Sequence, residues 1–430
     1  MRYRGKCERW SDDMARFARN GRRDEMRDED EMKYVLLIGD GMADIPDGKT
    51  PLQVADTPNM DFIASSGNMG VARTIPSGCE AGSDIAILSI LGYDPLRYYT
   101  GRGPLEAMGM GIPLSENDTV FRCNLVTVDG DVMIDYSSGH ISSEEAEELI
   151  NALNRALKPR LNEILRRKGA DIEFYPGVSY RNVLVIRGCR IECSMPPPHD
   201  VLGETITLPD DEMLREIVLA SRDVLEGHEI NEKRAREKRA NMIWLWGGGV
   251  VPNMPPFKRY GVSGGCVISA VMLVKGIGRC IGLDVIEVPG ATGFIDTNYE
   301  GKVSHALECL LKHDFVLVHV EAPDEASHIG DFDLKVKAIE EFDRRIVGKM
   351  LNGLSSLFNE YRILLMPDHA TPVSLKTHTS DPVPFAIYDS KKAKKGSAKK
   401  RCFDEKSALL GEIGMIDAKI LMKKLLNSDL

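Results

Sequence analysis

The sequence has no surplus of positive charge, no CxxC pair, no unbroken apolar run of membrane length and no internal repeat of solenoid size. Each absence removes a class of function. A formal net charge of −10 argues against a nucleic-acid surface as the chain's main role. The nine cysteines are scattered, and with no apolar leader ahead of them they are expected to be reduced, structural thiols of a cytoplasmic protein. The most apolar long window, 261–283, is broken by Lys275 and Arg279 and is rich in glycine, so no membrane span is expected. What remains is ordinary globular composition, 43% hydrophobic and 28% charged, in 430 residues, which is long enough for two domains with substantial cores.

The first 31 residues hold nine basic and nine acidic side chains and little apolar content. This charged extension is expected to be disordered or a loose helix, neither a signal peptide nor a basic arm. Met32, directly before the first apolar run, is an alternative start. Near the other end, Lys391 to Arg401 carries seven basic residues in eleven positions and reads as a solvated loop.

The stretch with most chemistry is RILLMPDHATPVSLKTHTSDPVP, Arg362 to Pro384. A buried strand, Ile363 to Met366, runs through Pro367 into Asp368 and His369, and His378 follows. A carboxylate beside imidazoles is the mixed oxygen and nitrogen set that suits Zn²⁺ or Mn²⁺ rather than Ca²⁺. The pattern of an acid just past an apolar strand occurs twice more. Tyr34 to Ile38 leads through Gly39 to Asp40, and Phe315 to Val320 leads to Asp324, with His328 four residues on, a spacing that puts both side chains on one helix face. In open parallel α/β sheets ligands gather at the carboxyl ends of strands, so three such ends can share one crevice. Taken singly, each acid is an ordinary turn or cap residue; the combination carries the reading.

Gly82-Ser83-Asp84 precedes the apolar-periodic run Ile85, Leu88, Leu91. A serine there sits among free N–H groups at the positive end of a helix, where phosphate is stabilised. Beside a metal cluster, Ser83 becomes a candidate nucleophile. Thr57-Pro58 is expected to start another helix, with Thr57 as its cap. The middle of the chain differs: Phe121 to Tyr136 reads as a hairpin turning at Asp129-Gly130, Ala146 to Leu157 as a helix that Pro159 interrupts, and 173–191 as further short strands. The expected organisation is therefore an α/β parallel-sheet core domain from 32–115 and 263–430, with an α+β domain inserted at 116–262. After the insert, Asp331 to Val347 reads as one amphipathic helix.

These motifs resemble the archaeal type of 2,3-bisphosphoglycerate-independent phosphoglycerate mutases, of the alkaline phosphatase superfamily. The likeness runs from Lys33 onward, through LLIGDGMAD, GSDIAILSILGYDP, SSGHIS, VPGATGFIDTNYEGK, VEAPDEASHIGD, PDHATP and KTHTSDPVPF. It implies an alkaline-phosphatase-like core and interconversion of 3- and 2-phosphoglycerate through a phosphoserine at Ser83, with no bisphosphoglycerate cofactor. Asp40, Ser83, Asp368 and His369 would hold one divalent ion, and Asp324, His328 and His378 a second. Mn²⁺ is the first expectation, with Zn²⁺, Co²⁺ and Mg²⁺ as alternatives. Lys275 corresponds to a lysine near the nucleophile, while His140, Arg181, His199 and Asp200 are the substrate-binding candidates of the insert. Cys79-Glu80-Ala81 departs from the family wording, in which proline is usual before Gly-Ser. The alternatives are another phosphoryl-transfer enzyme of the superfamily, a phosphomonoesterase or phosphopentomutase, or an inactive metal-binding scaffold. The expected partner is a small molecule, not nucleic acid or a membrane; a homo-oligomer stays open.

Overall fold

The computed structural model describes residues 31–46, 48–393 and 401–427. The charged extension to residue 30 and most of the lysine-rich run fall outside them.

Runs that are apolar on consecutive positions need cover on both faces, and helices supply it here. Eight strands form one sheet among the described residues: β1 (Lys33–Gly39), β2 (Asn68–Arg73), β8 (Gly265–Ile268), β9 (Asp284–Val285), β10 (Phe315–Val320), β11 (Tyr361–Met366), β12 (Val383–Asp389) and β13 (Gly414–Asp417). Their order is β13-β2-β12-β11-β1-β10-β8-β9. All neighbours pair in parallel except β12, which runs against both β11 and β2. Alternate residues of β1 feed two separate cores: Val35 and Leu37 pack on one side, Leu36 and Ile38 on the other.

A second sheet is antiparallel, formed by β3 (Thr119–Asp129), β4 (Val132–Asp135), β5 (Asp171–Val178), β6 (Arg181–Arg187) and β7 (Met242–Gly249). The β3–β4 hairpin turns at Asp129-Gly130, where Gly130 adopts φ +62°. Leu149, Leu153 and Leu157 of helix Ser143–Arg160 and Ile217 of helix Glu212–Glu226 share one apolar core with Phe121 and Leu125 of this sheet.

Four local readings need correction. Pro159 does not interrupt its helix, which continues to Arg160; it lies in the last turn, and the buried Leu157, Leu161 and Ile164 carry the same apolar stripe across it. Thr57 precedes helix Pro58–Ser66 but makes no cap bond; its hydroxyl turns to Asp61 instead, at 3.4 Å. The helix expected at Asp331 to Val347 is α-helical only over Phe332–Phe342 and then takes a wide, π-type turn at Asp343–Val347. There the buried Asp343 carboxylate accepts from the Met60 N–H and the Asn59 side chain, both at 2.7 Å. Finally, the cysteines are not all reduced: Cys266 and Cys309 form a disulfide across 43 positions of sequence. A strand and a helix bring them together, so spacing along the chain gave no sign of it.

Candidate active site

Strand register builds the site. β1 lies between β10 and β11, with Gly39 level with Val320 and Ile38 level with Met366. The residues that follow each strand therefore emerge side by side: Asp40, Glu321 with helix Ala322–Ile329, and Asp368-His369. Glycine is needed at position 41, which has φ +59°, and a Cβ there would come within 2.4 Å of an Asp324 oxygen. The Gly41 N–H instead donates to Asp368 Oδ1 at 3.1 Å.

Two clusters result. In one, Nε2 of the fully buried His369 lies 3.1 Å from Ser83 Oγ, 3.3 Å from Asp40 Oδ1 and 3.4 Å from Asp368 Oδ2. In the other, Asp324 Oδ2 is 3.1 Å from His328 Nε2 and 3.5 Å from His378 Nε2, and the two imidazoles face each other at 3.0 Å. The His369 and His378 rings stand 4.1 Å apart, so the clusters share a wall. Ser83 opens helix Ser83–Ile90 at its first position, as its place after Gly82 implied. The unusual Cys79-Glu80-Ala81 segment is accommodated: Cys79 and Ala81 pack against Ile75, Ile85 and Ala86, and the Ala81 carbonyl lies 3.3 Å from His378 Nδ1.

The electrostatics suit a cation cradle. Asp40 Oδ1 and Asp368 Oδ2 are buried without an aligned hydrogen-bond donor, a costly arrangement for carboxylates unless a cation faces them. Burial, then Asp368, Asp324 and Glu321, hold the Asp40 carboxyl well above its ordinary range. Asp324 goes the other way: burial would raise it, but the hydrogen bonds from His328 and His378 prevail and hold it well below. His328 is correspondingly lifted to about 9 by its bond to Asp324, against its own partial burial.

Several contributors were not legible as site residues. His319, inside the β10 run, is fully buried with Nε2 3.2 Å from Asp40 Oδ2, and burial pushes its pKa down to about 4. A histidine in a strand that is otherwise entirely aliphatic or aromatic was the available signal. Thr371 donates to Asp324 Oδ1 at 2.6 Å and lies 3.1 Å from His369 Nδ1, linking the two clusters. Lys335 is fully buried below them, donating to the Ala43 carbonyl at 3.1 Å and the Thr371 carbonyl at 2.9 Å. It ties the loop after β1 to the loop after β11. Lys335→Met should leave these acceptors and the Asp44 carboxylate, 3.3 Å away, without their cation, destabilising the fold by at least about 3 kcal/mol. A shift in the urea midpoint checks this; an unchanged midpoint would refute the role.

The clusters open on a cleft of about 1470 Å³ whose other wall is the second sheet. Arg181, His199 and Asp200 line it, together with Arg102, Arg122, Asn124 and Trp246. Arg102 is aimed by Asp84, whose carboxylate it meets at 3.0 Å, and Arg122 lies over the Trp246 ring at 4.3 Å. Two candidates are placed otherwise. Lys275 is buried on helix Met272–Cys280 with its ammonium 2.6 Å from Glu287, and it is not among the lining residues. His140 is exposed, edge-on to Tyr180 at 6.2 Å between ring centres, and is likewise outside the lining.

The sequence profile of the family described as 2,3-bisphosphoglycerate-independent phosphoglycerate mutase matches residues 64–231. A protein of that name from Methanothrix thermoacetophila is 51% identical over 407 residues, spanning 92% of this chain and 100% of the relative. The chain belongs to this family of isomerases. A second mutase of the same name, from Methanosarcina barkeri, is 50% identical across 91% of this chain and 98% of its own. Among solved structures, a Pyrococcus horikoshii protein matches with TM-score 0.76 at 32% identity, covering 92% of this chain and 98% of that one. The cofactor-independent phosphoglycerate mutase of Thermoplasma acidophilum matches with TM-score 0.61 at 27% identity, over 92% and 99%. The mutase family and the α/β parallel-sheet core agree with the resemblance read from the motifs.

Proposed function

We propose that the protein interconverts 3-phosphoglycerate and 2-phosphoglycerate, the glycolytic and gluconeogenic step, with Ser83 as the transient phosphoryl carrier. The observation that carries this reading is the position of Ser83 Oγ, at a helix N-terminus and 3.1 Å from His369, where both carboxylate-histidine clusters meet. Asp40, Ser83, Asp368 and His369 would hold one divalent ion, and Asp324, His328 and His378 another. Bound there, such ions lower the pKa of the serine hydroxyl and neutralise phosphoryl oxygens, with Mn²⁺ preferred and Zn²⁺, Co²⁺ or Mg²⁺ as substitutes.

The chain's own groups do the rest. Free N–H groups of the helix at Ser83 face the incoming phosphate. Ser83 takes the phosphoryl group from the 3-oxygen, which leaves as the hydroxyl of glycerate; after glycerate turns, its 2-hydroxyl takes the group back and frees Ser83. The arginines of the far wall would hold the glycerate carboxylate during that turn, with His199 and Asp200 beside them. The second sheet and its helices, 116–262, form the proposed clamping domain. Its cleft is larger than the roughly 300–1,000 Å³ usual for small ligands, so closure is needed to exclude water, and it would bring His140 over the substrate. Lys275 keeps a proposed electrostatic role only if closure frees it from Glu287.

A phosphomonoesterase or phosphopentomutase on the same core is the competing reading. Incubation with 3-phosphoglycerate and Mn²⁺ should yield 2-phosphoglycerate with little free phosphate; release of phosphate in preference to 2-phosphoglycerate would assign a hydrolase instead. Arg122→Met should raise KM for phosphoglycerate roughly 10- to 100-fold, the range expected for one charge-assisted hydrogen bond. Steady-state kinetics decide it, and an unaltered KM would remove Arg122 from the carboxylate site.

A further inference from the structure

Away from the cleft, four side chains with metal-binding chemistry converge at an edge of the core sheet. Cys266 of β8 and Asp284 of β9 are direct register partners in a parallel pair, so their side chains leave the sheet on the same face. Helix Tyr299–Leu310 carries Cys309 in its last turn. The His313 N–H donates to the Cys309 carbonyl at 2.9 Å, so the turn persists and His313 follows Cys309 at helical spacing. One ligand atom each from Cys266, Asp284 and His313 lie within 4.8 Å of one another, and the sulfur of Cys309 is joined to that of Cys266. His313 Nε2 is 3.2 Å from Asp284 Oδ2.

We propose that, once the Cys266–Cys309 bond is reduced, Cys266, Cys309, His313 and Asp284 form a structural site for a thiophilic divalent ion of the Zn²⁺ class. Two thiolates, an imidazole and a carboxylate make up the four ligands that tetrahedral Zn²⁺ accepts. The cysteines are buried, at 2% and 5% exposure, while His313 and Asp284 lie on the solvent side and give the ion a way in. Reduction by an external thiol delivers two electrons and two protons to the sulfurs and leaves that reductant as its own disulfide. Ion binding then releases the two thiol protons to solvent. The same sulfurs cannot be both a disulfide and two ligands, so the states exclude each other. In either state β8, and through His313 and Asp284 the edge strand β9 beside it, are tied to helix Tyr299–Leu310 and the turn that follows it. The cleft residues are not involved: they offer oxygen and nitrogen ligands, and their ion binding does not depend on thiols.

That difference makes the test specific. The full-length protein is reduced with a phosphine, which does not compete for the ion as a dithiol would, and is titrated with Co²⁺. The expected result is a thiolate-to-Co²⁺ charge-transfer band in the near ultraviolet whose final intensity corresponds to one sulfur-bound Co²⁺ per chain, beyond any Co²⁺ that the cleft takes up without such a band, and which Zn²⁺ displaces. It should be absent from the oxidised protein, whose cleft ligands include no sulfur. Cys266→Ser and Cys309→Ser should each abolish the band, and His313→Ala should weaken Co²⁺ at this site at least about tenfold. If the reduced protein shows two additional titratable thiols but no thiolate band, the proposal is wrong; a band that persists in both serine variants would overturn it equally. The comparison of reduced with oxidised wild type settles the matter even where a variant folds poorly.

Discussion

Ser83→Ala should lower turnover of 3-phosphoglycerate by at least about 10⁴-fold, the scale on which loss of an attacking group is felt when the rest of a site is intact. Divalent-ion binding should survive, because Ser83 is one oxygen among seven candidate ligand residues and the buried Asp40, Asp368 and His369 remain around the same point. Loss of activity with retained ions separates a nucleophile from a residue that merely holds the cluster together. Calorimetric ion titration beside a coupled mutase assay makes the distinction. The wild type should in addition become labelled on Ser83 by phosphate-labelled substrate, and the variant should not. Substantial turnover by the ion-loaded variant would mean that phosphate passes to some other acceptor, and the reaction would have to be rewritten.

How far the sequence could reveal this site depended on how local each signal is. Asp40, Asp324 and Asp368 were legible because each follows its own apolar strand, and the parallel order of β10, β1 and β11 sets the three strand ends side by side. Residues whose roles are created by distant partners were not. Lys335 lies in an amphipathic pattern as an ordinary charged position, yet it is buried against a carbonyl 292 positions away. Arg122 occupies a strand that reads as a plain hairpin arm, and only the fold places it over Trp246 on the cleft wall. The reversed direction of β12 has the same origin, since its apolar run looks like that of any buried strand and orientation is decided by what precedes and follows it. Asp343 shows the converse: a helix expected to be regular contains a wide turn because one buried carboxylate answers to the start of a different helix.

Stripping the divalent ions should abolish turnover and also lower the thermal midpoint, and the binding lost should depend steeply on pH. Without cations the clusters have only protons to offset their charge: burial and the neighbouring carboxylates hold the Asp40 carboxyl well above its ordinary range, and the bond to Asp324 lifts His328 to about 9. Cations at the proposed sites need both groups deprotonated, so binding expels protons and the ion-free form is favoured as pH falls. For His328 alone the apparent affinity should rise nearly tenfold per pH unit below 9, so the second site should bind about 90-fold more weakly at pH 6 than at pH 8. Asp40 adds to the dependence at the first site in the same direction. Because the unfolded chain lacks the cradle, saturation at 100 times Kd should add about 2.7 kcal/mol of stability per site. Chelation followed by Mn²⁺ titration at the two pH values, read by calorimetry and thermal melting, tests both parts. Affinity that is flat between pH 6 and 8 would show that His328 does not have to give up a proton and so is not a ligand; an unchanged melting temperature on chelation would show that Asp40 and Asp368 are balanced by something other than a cation.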